Sequence, residues 1–152
     1  MPDAVWAVAQ IVPSPEIVVA ENVAHFGLRW QVTPILYSFG IHRGQSPWRA
    51  FIAEPFVRQV GSIEGYVSPE YVSGQGGDMF SLRFGTRAYF PLLSHGEYLS
   101  VSLGTSYSTF ASGGVGYELG AYVLFGIFGV QLTTSPTPGQ PSWIATLRFR
   151  YF

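Results

Sequence analysis

Apolar and polar residues alternate one by one along much of this chain. Successive side chains on a β-strand leave opposite faces, so this alternation predicts strands with one apolar and one polar face. Residues 79–90 are the clearest internal case: Phe80, Leu82, Phe84, Ala88 and Phe90 oppose Ser81, Arg83, Gly85, Arg87 and Tyr89. Residues 99–107 set Leu99, Val101, Leu103 and Tyr107 against Ser100, Ser102, Gly104 and Ser106. Residues 115–123 set Val115, Tyr117, Leu119, Ala121 and Val123 against Gly116, Glu118, Gly120 and Tyr122. Over 127–134, Phe128, Val130 and Leu132 oppose Gly129, Gln131 and Thr133. The last stretch, 142–152, alternates Trp143, Ala145, Leu147, Phe149 and Tyr151 with Ile144, Thr146, Arg148 and Arg150.

Three more strands are expected at 25–40, 48–58 and 62–72. In the first, Phe26, Leu28, Trp30 and Val32 share a face, and Pro34 bends the strand or marks a bulge. Dividing it at Thr33-Pro34 into two strands would give an odd count, so one long bent strand is favoured. The total is about eight, and the predicted fold is all-β: a single up-and-down antiparallel barrel over 23–152. Residues 1–22 read as an N-terminal extension, because Pro13 and Pro15 bracket Ser14 and disfavour a central strand. Connections at 42–47, 73–78, 109–114 and 135–142 are polar and rich in Gly, Ser or Pro. Those near Gly61, Gly96 and Gly126 look tighter.

Composition decides which face meets the surroundings. Of 152 residues, 47% are hydrophobic, 16% aromatic and only 11% charged, against about 25% charged in soluble domains. No apolar run approaches the ~18 residues of a membrane-crossing helix. A transmembrane barrel reconciles these facts, since it faces lipid with every second residue. All eight basic residues are arginine. A closed barrel has no sheet edge for lysine to protect, and the forked guanidinium suits confined ion pairs. The net charge of −1 gives no reason to expect nucleic acid, and the lack of cysteine removes disulfides and thiol chemistry.

The polar faces carry Gly, Ser, Thr, Gln and Tyr, which suit a narrow interior better than a solvent-facing surface. A lipocalin-like soluble barrel, apolar inside, is therefore the less favoured closed form. The lumen is expected to hold Arg29, Arg83, Arg87, Arg148 and Arg150 with Glu54, Glu64, Glu70 and Glu118 as an ion-paired network. Arg43 and Arg49 fall near the expected outer rim, where they could contact lipopolysaccharide phosphates. Trp143, Tyr107, Phe90, Phe125, Phe128 and Tyr151 sit near strand ends, as interfacial girdles require.

With its alternating strands and terminal Phe152, the chain resembles the small eight-stranded outer-membrane barrels of the OmpA/OmpX type over about residues 24–152. Here Leu147, Phe149 and Tyr151 are one position out of phase with Phe152. The resemblance implies a bacterial outer-membrane location, a leader removed ahead of Met1, periplasmic termini, and folding by the barrel assembly machinery. It leaves three roles: structural scaffold or subunit of an envelope assembly, lipid-A-modifying enzyme, or narrow pore. A deacylase of this kind needs His-x-Ser, but Gly27, Gly44 and Glu97 stand two residues after His25, His42 and His95. The scaffold reading is favoured, with no enzyme activity, cofactor or metal expected. Outer-membrane lipid and envelope proteins are the expected partners.

Overall fold

A computed structural model describes residues 11–20, 22–39, 46–50, 61–74, 79–93, 98–110, 112–124, 126 and 128–149, apart from the side chains of Arg49 and Phe149. The strands are β1 (Ser14–Ala20), β2 (Val23–Arg29), β3 (Val32–Ser38), β4 (Trp48–Ala50), β5 (Ser62–Val72), β6 (Met79–Leu93), β7 (Leu99–Ser108), β8 (Gly114–Val123), β9 (Phe128–Thr134) and β10 (Trp143–Phe149). Every pairing is antiparallel. The sheet runs from β2 through β1, β10, β9, β8, β7 and β6 to β5, and β5 returns to pair with β2. With β2 and β3 counted as one stave, it is a closed eight-strand antiparallel barrel, with no helix among the described residues.

The stave made of β2 and β3 is the long bent strand favoured from sequence. Both parts pair with β5 in continuation, from Gly27↔Val72 through Val32↔Val67 to Ser38↔Ser62. Between Val32 and Ile35 the register slips by one residue, which places Pro34 in a bulge, where its missing N–H costs no ladder bond. The slip also moves the inward parity from Arg29, Gln31 and Thr33 to Leu36 and Ser38.

Two expectations need correction. Residues 14–20, assigned to the N-terminal extension, are a barrel strand between β2 and β10; residues 1–10 lie outside the described residues. Pro15 is tolerated for a geometric reason. The Val19 carbonyl accepts from Ser142 N at 3.1 Å, so odd-numbered β1 residues turn their backbone polar groups toward β10. The β1–β10 ladder starts at Glu16↔Thr146, and the missing donor of Pro15 falls just beyond it. The second correction concerns 48–58, expected as a stave between the first and third strands. Only Trp48–Ala50 is a described strand; it pairs with β3, and β3 pairs directly with β5. The eighth stave is β1.

The chain order sorts the connections between two ends. The turn after β1 and the segments 73–78, 109–113 and 135–142 share one end, called the loop end. The connections after β3, β6 and β8 share the other with the start of β1 and the end of β10, called the terminus end. Of the 42–47 segment, expected beside the other polar loops, residues 46–47 lead into β4 at the terminus end, and 42–45 lie outside the described residues.

Burial follows the alternation. In β8, Gly116, Glu118, Gly120 and Tyr122 are buried, and Val115, Tyr117, Leu119, Ala121 and Val123 are exposed. Glycines on the lumen face make room for large neighbours. A Cβ on Gly129 would stand 2.3 Å from Tyr122 Cδ1, and one on Gly120 2.8 Å from Tyr122 Oη. Gly129→Ala should therefore overpack the lumen and cost about 1–3 kcal/mol. Denaturant unfolding checks this, and an unchanged midpoint would refute it.

Candidate functional site

The lumen is where charge concentrates. Among residues whose side chains are described, the charged ones are Arg29, Arg83, Arg87, Arg148, Glu16, Glu64, Glu70 and Glu118, and all eight are buried. Their formal charges cancel. Each stands at an inward position of its strand, so the alternation of β1, β2, β5, β6, β8 and β10 delivers them to one space.

Two clusters form. Toward the loop end, Glu70 Oε1 accepts from Arg29 Nε at 2.7 Å and from Arg83 Nε at 2.6 Å. Arg29 Nη2 lies 2.5 Å from the same oxygen, and Arg83 Nη2 donates to Glu70 Oε2 at 3.2 Å. Glu16 Oε2 stands 3.4 Å from Arg29 Nε and accepts from Thr146 Oγ1 at 3.2 Å.

The second cluster centres on Arg87. Its Nη2 and Nε donate to Glu118 Oε2 at 2.6 and 3.1 Å, and its Nη1 donates to Glu64 Oε1 at 3.3 Å. The guanidinium carbon sits 4.5 Å from the centroid of the Tyr66 ring, a cation–π geometry. Tyr66 Oη donates to Glu118 Oε1 at 2.5 Å, and Tyr89 Oη to Glu64 Oε1 at 2.8 Å. Thr33 and Gln31 also donate to Glu64, at 2.9 and 3.1 Å. Arg148 donates to Gln31 Oε1. Arg83 Nη1, 3.9 Å from Glu118 Oε1, links the clusters.

Buried charges cost several kcal/mol each unless paired and hydrogen-bonded. Here each of Glu64, Glu70 and Glu118 has an arginine partner and further donors, an arrangement suited to filling and bracing a lumen. Among the described residues, no group of three or more His, Cys, Asp or Glu is placed to hold a metal.

Of the lumen residues named from sequence, the structure brings Arg29, Glu64, Glu70, Arg83, Arg87 and Glu118 into ion pairs and buries Arg148 beside Gln31. Glu54 and Arg150 lie outside the described residues, as do Arg43, His42, His95, Phe125 and Tyr151. The backbone of Arg49 is in β4 at the terminus end, opposite the end bearing the three polar loops. That separates it from the rim where the sequence placed it. Glu16 was not anticipated, although it shares a face with Ser14 and Val18. Tyr66, Tyr89 and Gln31 had a readable signal: each occupies the face of its charged neighbours.

An apolar layer adjoins the charges at the loop end. Val18, Val72 and Ile144 are buried together, with Phe110 of the 109–113 loop packed on them. Outside, the surface reverses. Leu103, Leu119 and Leu132 stand opposite one another on β7, β8 and β9, each about half exposed at 55%, 53% and 49%. Ring pairs flank the band: Tyr37–Trp48 and Phe39–Phe90 at the terminus end, Tyr71–Phe80 and Phe84–Tyr107 toward the loop end. Trp143 and Phe128, expected in the girdles, are exposed at opposite ends.

Fold and site together define a class: a closed antiparallel barrel with an apolar exterior and an ion-paired interior. Compared with family models, curated proteins and solved structures, the chain matches none.

Proposed function

We propose that this protein is an integral barrel of a bacterial outer membrane, serving as a structural scaffold or a subunit of an envelope assembly. One observation carries the reading: every charged side chain described lies in the lumen, and the strands turn Ile, Leu, Val and Phe outward. Monomers in water rarely expose contiguous apolar patches beyond a few hundred Å², whereas lipid requires such a band. Aromatic pairs toward both ends fit the two interfaces of a bilayer. β1 starts and β10 ends at the same end of the barrel, and on this reading that end faces the periplasm and the three polar loops the outside. On this orientation Arg49 is periplasmic, and lipopolysaccharide contact from it is not part of the proposal.

The filled lumen favours scaffold over pore. Arg29, Arg87, Arg148, Glu16 and Glu64 are wholly enclosed, and each arginine is bonded or ion-paired to a neighbour on another stave of the barrel. The barrel assembly machinery and surrounding lipid are the partners this reading requires.

Heat modifiability tests it. Denatured protein refolded with detergent should migrate differently on a semi-native gel when unboiled than when boiled. Refolding in plain buffer should give no such species. A monodisperse fold in plain buffer would overturn the membrane assignment.

A further inference from the structure

The staves of the ring are not joined equally well. Between β1 and β10 the ladder runs only from Glu16↔Thr146 to Val19↔Trp143, four residue pairs. Every other junction of the ring has seven or more. Proline explains both limits. Pro15 stands just before Glu16, and Pro141 two residues before Trp143; neither has an N–H with which to extend a ladder. β1 nevertheless keeps its other neighbour along its whole length, from Ser14↔Arg29 to Ala20↔Val23. Ahead of it, the Ile11 carbonyl accepts from Trp30 Nε1 at 3.0 Å, which ties the entering chain to the β2–β3 stave.

Side chains supplement this short ladder. Thr146 Oγ1 donates to Glu16 Oε2 at 3.2 Å, and Val18 and Ile144, directly opposite each other, are buried together. The ion pair of Glu16 is with Arg29, on its own hairpin, and so does not bind it to β10. Beyond Thr146, β10 continues to Phe149, and Arg148 donates to Gln31 between β2 and β3. Opening a junction strips its backbone groups of their partners, so the cost grows with the length of the ladder. The β1–β10 seam is where that cost is lowest.

We propose that the barrel wall opens laterally at the β1–β10 seam, with β1 staying on β2 and the Glu16–Thr146 and Arg148–Gln31 bonds acting as latches. Opening parts Val18 from Ile144 and gives the charge cluster at Glu16 and Arg29 a way out through the wall. The proposal rests on the ring of strands alone. It stands apart from the membrane reading, because the short ladder is the same in lipid or in water.

Hydrogen exchange in the folded protein, read amide by amide by NMR, tests it. Successive amides along a strand point to opposite neighbours. Opening at this seam alone therefore leaves an alternation: along 16–19 and along 143–146, every second amide should exchange about tenfold faster than those between. Uniform protection along both strands overturns the proposal. Uniform loss along β1 overturns it too, since the whole strand would then be leaving the barrel. Ile17→Cys with Ala145→Cys places two thiols at directly opposite positions on the outer face. Joining them as a disulfide should slow the fast amides to the rate of their neighbours, and reduction should restore the alternation. Unchanged exchange in the locked protein refutes lateral opening. If the double variant does not fold, the pattern in the unaltered protein decides.

Discussion

Replacing Arg87 with methionine is expected to destabilise the barrel by about 3–5 kcal/mol, the range for removing one partner of a buried ion pair. Methionine retains much of the aliphatic stem, so the loss reports charge and hydrogen bonding more than a cavity. Arg87 pairs with Glu64 at 3.3 Å and with Glu118 at 2.6 Å, so one side chain bridges two buried carboxylates. Without it two carboxylates remain enclosed, with the hydroxyls of Tyr66 and Tyr89 as weaker compensation. Denaturant unfolding in detergent, followed by tryptophan fluorescence, measures the effect. Adding Glu118→Gln should recover part of the loss, since interacting sites couple by about 0.5–3 kcal/mol. A loss below about 1 kcal/mol would match an ordinary surface change and contradict an ion-paired core.

Leu119→Arg should cost about 2–4 kcal/mol in a lipid bilayer, the range for arginine at the midplane of a barrel's lipid face. Leu119 is central in β8, between Leu103 and Leu132, and 53% exposed. Leu93→Arg, at the terminus end of β6, should cost about 0–1 kcal/mol because its guanidinium can reach the interface. The measurement is reversible unfolding from vesicles. The contrast between the two sites is the diagnostic. For a barrel surrounded by water both changes would stay within about 0.5 kcal/mol, and equal small effects would refute the lipid-facing band.

The inward and outward assignments were legible because side-chain direction in a strand is a local property. Ser81, Arg83, Arg87 and Tyr89 could be placed on one face of β6 without knowing its neighbours, and Glu64, Glu70 and Glu118 likewise on theirs. The Pro34 bulge was legible too, since proline lacks the donor a regular ladder needs. Less was readable where the local signal pointed the wrong way. Pro13 and Pro15 argued against a strand at 14–20, yet its Ser14-Glu16-Val18 face and Pro15-Ile17-Val19 face alternate as the others do. The apolar layer of Val18, Val72 and Ile144 was hidden for a related reason: alternation on the polar face predicts charge or small groups there, and only packing against Phe110 explains the exceptions.

By itself, then, the sequence determined the strand class, most strand positions, and most of the described charged side chains that share the lumen, because period-two alternation needs no information from distant residues. Only the tertiary structure decided how the barrel closes and who meets whom inside it. β1 meets β10 by bringing Glu16 beside Thr146, 130 residues away. The direct pairing of β3 with β5 excludes residues 48–50 from the ring of staves. Those choices set the register, which carries Arg87 within reach of both Glu64 and Glu118. Long-range pairing of this kind depends on the fit of whole strands, and no local pattern encodes it.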